Sequence, residues 1–241
     1  MQIKKQIPNA ITSLNLVSGC VGIFLALRGF VELAAVMVVV AAIFDFMDGL
    51  AARLLHVHSE IGKELDSLAD LVSFGVLPGA LVFVMLEQST APQWIVCFAL
   101  LIPVLSAIRL AKFNLDTRQS ESFLGLPVPA NALFWVGVTY INSFAANNRF
   151  NLILKSIFNQ PLIIIILTVV LSLLLVSELP LFSLKFKNLK WGNNQTRFIF
   201  IGLALMLFIL LGVSSLPMII VVYVLLSIFV NLPTFNRVER P

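Results

Sequence analysis

Six of the chain's twelve acidic residues, Asp45, Asp48, Glu60, Glu64, Asp66 and Asp70, fall within one stretch of a 241-residue sequence. Four are aspartates at helical spacing: Asp45-x-x-Asp48-Gly49-x-x-Ala52-Arg53, then eight residues, then Gly62-x-x-x-Asp66-x-x-x-Asp70. In an apolar chain such a group is expensive, since one Asp at the centre of a membrane helix costs roughly 2.5–3.5 kcal/mol. Water, cations or both must compensate. Facing carboxylates make an oxygen-rich anionic site, which suits hard ions such as Mg2+ or Mn2+ better than zinc. Two such ions about 3.5–4 Å apart clamp phosphate oxygens during phosphoryl transfer. The residue types therefore point to metal-dependent chemistry on a phosphate ester.

Helices have to position these groups. At about 100° per residue, Asp48 lies about 60° from Asp45, Gly49 about 40° and Ala52 about 20°, so the four form one narrow stripe. Arg53, about 80° away, stands at its edge, where a guanidinium could reach a bound phosphate. Gly62, Asp66 and Asp70 at i, i+4 and i+8 stack on one face of a second helix. A turn of roughly ten residues lets the two faces oppose each other, and Gly49 and Gly62 let a nucleotide approach the backbone.

The rest of the chain supplies the membrane. It is 59% hydrophobic and only 12% charged, with a mean hydropathy of +1.01, where a soluble domain has about a quarter of its residues charged. The reading is an all-α polytopic membrane helical bundle forming one domain over residues 1–241. Taking about twenty residues per crossing, eight transmembrane helices are expected, at roughly 11–29, 33–54, 67–87, 93–112, 129–147, 161–180, 197–213 and 216–233. The last two read as a tight helical hairpin punctuated by Ser214, Ser215 and Pro217. The basic start of the chain precedes an apolar run without a small-residue cleavage site, so a retained helix is expected there rather than a signal peptide. Cys20 and Cys97 fall within spans and have no metal spacing; both are expected to be packing residues.

Orientation follows from Lys and Arg, which collect on the cytoplasmic side. With eight spans, one side carries Lys4, Lys5, Arg53, Lys63, Arg109, Lys112, Arg118, Lys185, Lys187, Lys190, Arg197, Arg237 and Arg240. The other carries Arg28, Arg149 and Lys155, so thirteen against three accounts for all sixteen basic residues. Both termini and the aspartates are expected at the cytoplasmic face. The net charge of +4 is a topology signal and a bias toward anionic lipid headgroups. No basic patch interleaved with aromatics points to nucleic acid.

The aspartate pattern resembles the signature of the CDP-alcohol phosphatidyltransferase family, D-x2-D-G-x2-A-R, about eight residues, then G-x3-D-x3-D. All eight defined positions match: Asp45, Asp48, Gly49, Ala52, Arg53, Gly62, Asp66 and Asp70. The resemblance implies transfer of a phosphatidyl group from CDP-diacylglycerol to a small alcohol with release of CMP. It implies two divalent cations, Mg2+ or Mn2+, held by Asp45, Asp48, Asp66 and Asp70, with Asp70 as the base. Gly49, Ala52, Arg53 and Gly62 then fall at the cytidine nucleotide, and a homodimer is implied as well.

The acceptor rests on other residues. The stretch from Pro8 to Gly19, Arg109-Leu110-Ala111-Lys112-Phe113-Asn114, and Phe123-Leu124-Gly125-Leu126-Pro127-Val128-Pro129-Ala130 resemble the branch of the family that uses serine. Arg109 and Lys112, three apart, are expected to share a helix face and, with Asn114, to hold the serine carboxylate. The same face would suit a lipid phosphate, or the phosphate of glycerol 3-phosphate or inositol phosphate. As a simple positive-inside anchor it would need no substrate at all. Asn9, Thr12 and Asn15 recur at i, i+3 and i+6, either bonding across helices or lining the substrate pocket. His56 and His58, in the turn, read as solvated. A cation transporter would spread its acids through the depth of several spans; here they gather at one end of two.

Overall fold

The computed structural model describes residues 2–57, 59–115, 123–144, 149–182 and 191–238. His58, Arg118, Lys185, Lys187, Lys190 and Arg240, which entered the sequence reading, lie outside the described residues, as does the basic stretch leading up to Trp191.

The first two helices, α1 (Gln2–Leu27) and α2 (Val31–Leu54), form a hairpin. Gly29 turns it: its φ of +84° is left-handed, and the amides of Gly29 and Phe30 close on the carbonyls of Ala26 and Leu25 at 2.9 Å each. This is the glycine-terminated helix end that satisfies otherwise orphaned carbonyls. After α2 the chain reverses through His56 (φ +51°). Ser59 then caps α3 (Glu60–Asp70), its hydroxyl accepting from the Gly62 amide at 3.2 Å, the interaction expected of an N-cap serine.

Helix α3 runs without interruption through a π-helical turn, Leu71–Val76, into α4 (Leu77–Glu87). The turn opens directly after Asp70, and such widened turns concentrate at functional sites. Here it is locked against α1: the Ser73 hydroxyl donates to the Asn15 carbonyl at 3.0 Å. A methyl at Gly19 would overlap the Ser73 hydroxyl and come 2.9 Å from its Cα, so only glycine permits this approach.

A 3-10 segment (Gln93–Leu100) leads into α5 (Leu101–Leu115). Helix α6 (Val128–Phe144) is the central one, with ten of its seventeen residues buried, Trp135 and Phe134 among them. Helix α7 (Arg149–Phe158) was not foreseen as a separate element; it is bent by 81° against α8 (Pro161–Val176). Among the described residues the all-α expectation holds except for one two-residue antiparallel pairing, β1 (Phe123–Leu124) with β2 (Pro180–Leu181).

The last helices are α9 (Trp191–Leu211) and α10 (Leu216–Val238), joined by a 3-10 turn, Gly212–Ser215. The rings of Phe200 and Tyr223 are 5.5 Å apart. In a straight helix they would be separated by about 35 Å, so the chain doubles back here, at Gly212 with its φ of +58°. The expected hairpin is present.

Five helical stretches of the described residues are long and apolar enough to cross a membrane: Gln6–Leu27, Val31–Leu54, Glu60–Glu87, Gln93–Leu115 and Asn194–Val230. The bent α7–α8 pair makes six if counted as one span. The chain is thus a helical membrane protein with five or six such stretches, against the eight crossings expected. With the α7–α8 pair counted as one span, the difference has two sources. Helix α6, at 17 residues, is only about 26 Å long, and the α9–α10 hairpin counts once.

Candidate active site between α2 and α3

Asp45 and Asp48 lie on the last turns of α2, while Asp66 and Asp70 lie on α3. The polar turn between the helices brings the two acidic faces together. Carboxylate oxygens of Asp45, Asp48 and Asp66 all lie within 4.8 Å of one another. Asp70 sits one turn deeper, in electrostatic contact with Asp45 and Asp66. Its Oδ1 accepts from the Asn15 carboxamide of α1 at 3.3 Å.

Two of these oxygens, Asp48 Oδ2 and Asp66 Oδ1, are buried without a hydrogen-bond partner in the protein. Asp48 as a whole is 6% exposed. Buried polar atoms are almost always satisfied, so two orphaned carboxylate oxygens facing a third carboxylate are a donor set for a cation. The donors are all oxygen, and that fits Mg2+ or Mn2+.

Beside the carboxylates opens a cavity of about 510 Å3, walled by Asp48, Gly49 and Ala52 of α2, by Glu60, Gly62, Lys63 and Asp66 of α3, and by Pro8, Asn9 and Thr12 of α1, with Val57 and Ser59 from the turn. Gly49 has open space where a side chain would begin. At Gly62 a Cβ would come 2.9 Å from the Asn9 carboxamide oxygen. Of the stripe expected from the spacing, Asp48, Gly49 and Ala52 line this one cavity, while Asp45 and Arg53 are not part of its wall. Arg53 is exposed, and its Nε donates to the Gly49 carbonyl at 3.0 Å, along its own helix.

Asn9 and Thr12 belong to the cavity wall, the second of the two roles open to them in the sequence. Asn15 does not; it is fully buried against Asp70. Lys63 and Ser59 were not foreseen as site residues. Their signal was present, since both are polar and lie within a helical turn or so of Gly62.

The residues proposed for the acceptor are more dispersed. Arg109 and Lys112 do not share an exposed face, and this corrects the expectation from their spacing. Arg109 is 5% exposed and lies 5.4 Å from the Phe113 ring centroid, whereas Lys112 is exposed. Three residues still leave about 60° between side chains, enough for one to turn into the bundle and the other out. Asn114 is tied to α3: its carboxamide donates to the Ser67 hydroxyl at 2.9 Å, and its carbonyl accepts from Lys63 Nζ at 3.2 Å.

The stretch from Phe123 to Pro127 proves to have a packing role. The amides of Gly125 and Leu126 donate to the carbonyls of Leu179 (2.9 Å) and Leu174 (2.8 Å), closing the end of α8. Gly125 has a φ of +76°, and a Cβ there would meet the Leu175 and Ser177 carbonyl oxygens at 2.6 and 2.7 Å.

Comparison with known proteins bears on this site. Residues 5–182 match the family model described as CDP-alcohol phosphatidyltransferase. The chain is 32% identical over 203 residues to the CDP-diacylglycerol–serine O-phosphatidyltransferase of Helicobacter pylori (strain 26695), covering 82% of this chain and 80% of that protein. It is 37% identical over 139 residues to the protein of the same name from Mycobacterium leprae, covering 55% and 46%. A third similar protein of that name, from Saccharomyces cerevisiae, is 38% identical over 146 residues, covering 54% and 52%. The chain spans about half the length of the mycobacterial and yeast relatives it matches.

Proposed function

The chain belongs to the CDP-alcohol phosphatidyltransferase family, and from that premise we propose that it transfers the phosphatidyl group of CDP-diacylglycerol to L-serine, releasing CMP. The observation that carries this reading is the union of three convergent carboxylates with a cavity that two glycines keep open beside them. The names of the similar proteins support serine as acceptor.

Asp45, Asp48, Asp66 and Asp70 would hold two divalent cations, Mg2+ or Mn2+. Bound there, these ions supply positive charge against the pyrophosphate and the departing phosphate of CMP. Gly49, Ala52 and Gly62 make room for the cytidine nucleotide. Arg53 can leave its own helix, because a single exposed hydrogen bond holds it, and meet the diphosphate. Asp70 takes the proton of the serine hydroxyl as its oxygen attacks the phosphorus bearing diacylglycerol. The new O–P bond forms as the bond to CMP breaks, and the electron pair leaves with CMP. Asn15 holds one Asp70 oxygen and leaves the other for the incoming hydroxyl.

Arg109, Lys112 and Asn114 are proposed for the acceptor side. Support comes from the ties between Asn114 and α3, which keep the end of α5 beside the acidic helix. The charge count supports eight crossings with the site and both termini cytoplasmic. The α9–α10 hairpin adds to that support. The homodimer implied by the family resemblance belongs to the same proposal.

The test is CMP release by the purified protein from CDP-diacylglycerol with serine, glycerol 3-phosphate or inositol phosphate, each with Mn2+ and with EDTA. Serine-dependent, EDTA-sensitive release is expected. Release driven equally by another acceptor would overturn serine, and release indifferent to EDTA would overturn the metal role.

A further inference from the structure

A second cavity, of about 600 Å3, lies at the opposite end of the bundle. Its wall includes Glu32 at the start of α2, Gln88 just past α4, Asn142 and Ser143 at the end of α6, and Lys155 and Asn159 from α7 and the turn after it. Glu32 stands sixteen residues before Asp48, about 24 Å along α2, so this cavity is separate from the acidic site.

The lining has a definite chemistry. Glu32 offers a carboxylate and Lys155 an ammonium, and among the described residues neither side chain has a hydrogen-bond or ion-pair partner. The Asn142 carboxamide oxygen is buried and likewise without a partner. Two acceptors, one of them charged, stand ready for an N–H donor, and one cation stands ready for an anion. The site also lies where the helices end. Beside it α7 turns Phe150, Leu152, Ile153 and Ile157 outward while its Lys155 faces the cavity, the pattern of a helix lying in a bilayer interface. That puts the cavity at the depth of lipid headgroups.

We propose that this cavity binds a zwitterion carrying a primary ammonium and a phosphate, its ammonium on Glu32 and Asn142 and its phosphate on Lys155. The same chemistry is offered by an aminophospholipid headgroup and by its free soluble counterpart, so both are probed.

The experiment measures binding of phosphoethanolamine and of short-chain phosphatidylethanolamine to the purified full chain, with ethanolamine, inorganic phosphate and short-chain phosphatidylglycerol as controls. Wild-type protein should bind a zwitterionic probe at least tenfold more tightly than the matching controls. Glu32→Gln and Lys155→Gln should each weaken that binding tenfold or more, with CMP release unchanged. Binding of the lipid alone assigns the occupant to the membrane; binding of both assigns it to the headgroup. No binding of either probe, no preference over the controls, or binding unaltered by both substitutions would overturn the proposal. The wild-type comparison requires no variant to fold, and its failure would leave the transferase reading intact.

Discussion

Replacing Asp66 by Asn should stabilise the metal-free protein while abolishing its activity. The oxygens of Asp45, Asp48 and Asp66 lie within 4.8 Å of one another, and at an effective dielectric of about 20 each pair of full charges at that distance repels by about 3.5 kcal/mol. Three pairs approach roughly 10 kcal/mol, as large as the whole stability of a typical domain at about 5–15 kcal/mol. Asp66→Asn removes two of the three pairs and nearly preserves shape. Solvent and counter-ions already relieve most of the repulsion, so a gain of about 1–2 kcal/mol is expected. At this chain length that is a rise of about 2–4 °C in Tm for each kcal/mol. The assay is thermal unfolding in detergent, in EDTA and across a Mn2+ series. Wild type should gain about 2.7 kcal/mol per bound ion at a hundredfold excess over its Kd, and the variant should lose most of that gain together with CMP release. A variant less stable than wild type in EDTA, or one that keeps the full Mn2+ response, would refute the reasoning.

Three further substitutions probe different parts of the argument. Gly49→Ala meets nothing in the protein and should raise stability by up to about 1 kcal/mol through helix propensity. If nucleotide occupies that space, the variant's KM for CDP-diacylglycerol should rise severalfold; an unchanged KM counts against nucleotide there. Asn15→Ala leaves Asp70 without its carboxamide partner and should lower kcat tenfold or more with little change in KM, read from steady-state kinetics. Gly137→Ala would drive a methyl into Pro217 Cδ and to 2.9 Å from Leu216 Cβ, so thermal unfolding should show a loss of about 1–3 kcal/mol, with the metal response of the folded fraction retained.

The helices that carry the site were legible because their signals are local. Apolar runs of bilayer length and the three- and four-residue spacing of the aspartates are read from neighbouring residues of one segment. The acidic stripe follows from helical periodicity alone. Other features depend on neighbours distant in sequence. The Ser73 hydroxyl reaches Asn15 across 58 positions, and Asn15 reaches Asp70 across 55, so neither contact leaves a trace in local spacing. Arg109 and Lys112 show the limit most plainly. Their separation allows a common face, but packing of α5 against its neighbours buries one and exposes the other.

By itself the sequence determined the chemistry: which residues carry charge, on which helix faces, and at which end of the spans, because periodicity and hydropathy are properties of adjacent residues. Tertiary structure decided what those faces meet. It put Asn9 and Thr12 of α1 into the wall of the acidic cavity, assigned Gly125 to closing α8, and gathered Glu32, Asn142 and Lys155 at the far end of the bundle. Each of these needs two or more helices packed at close range, and packing is set by side-chain shape across the whole chain rather than by any segment of it.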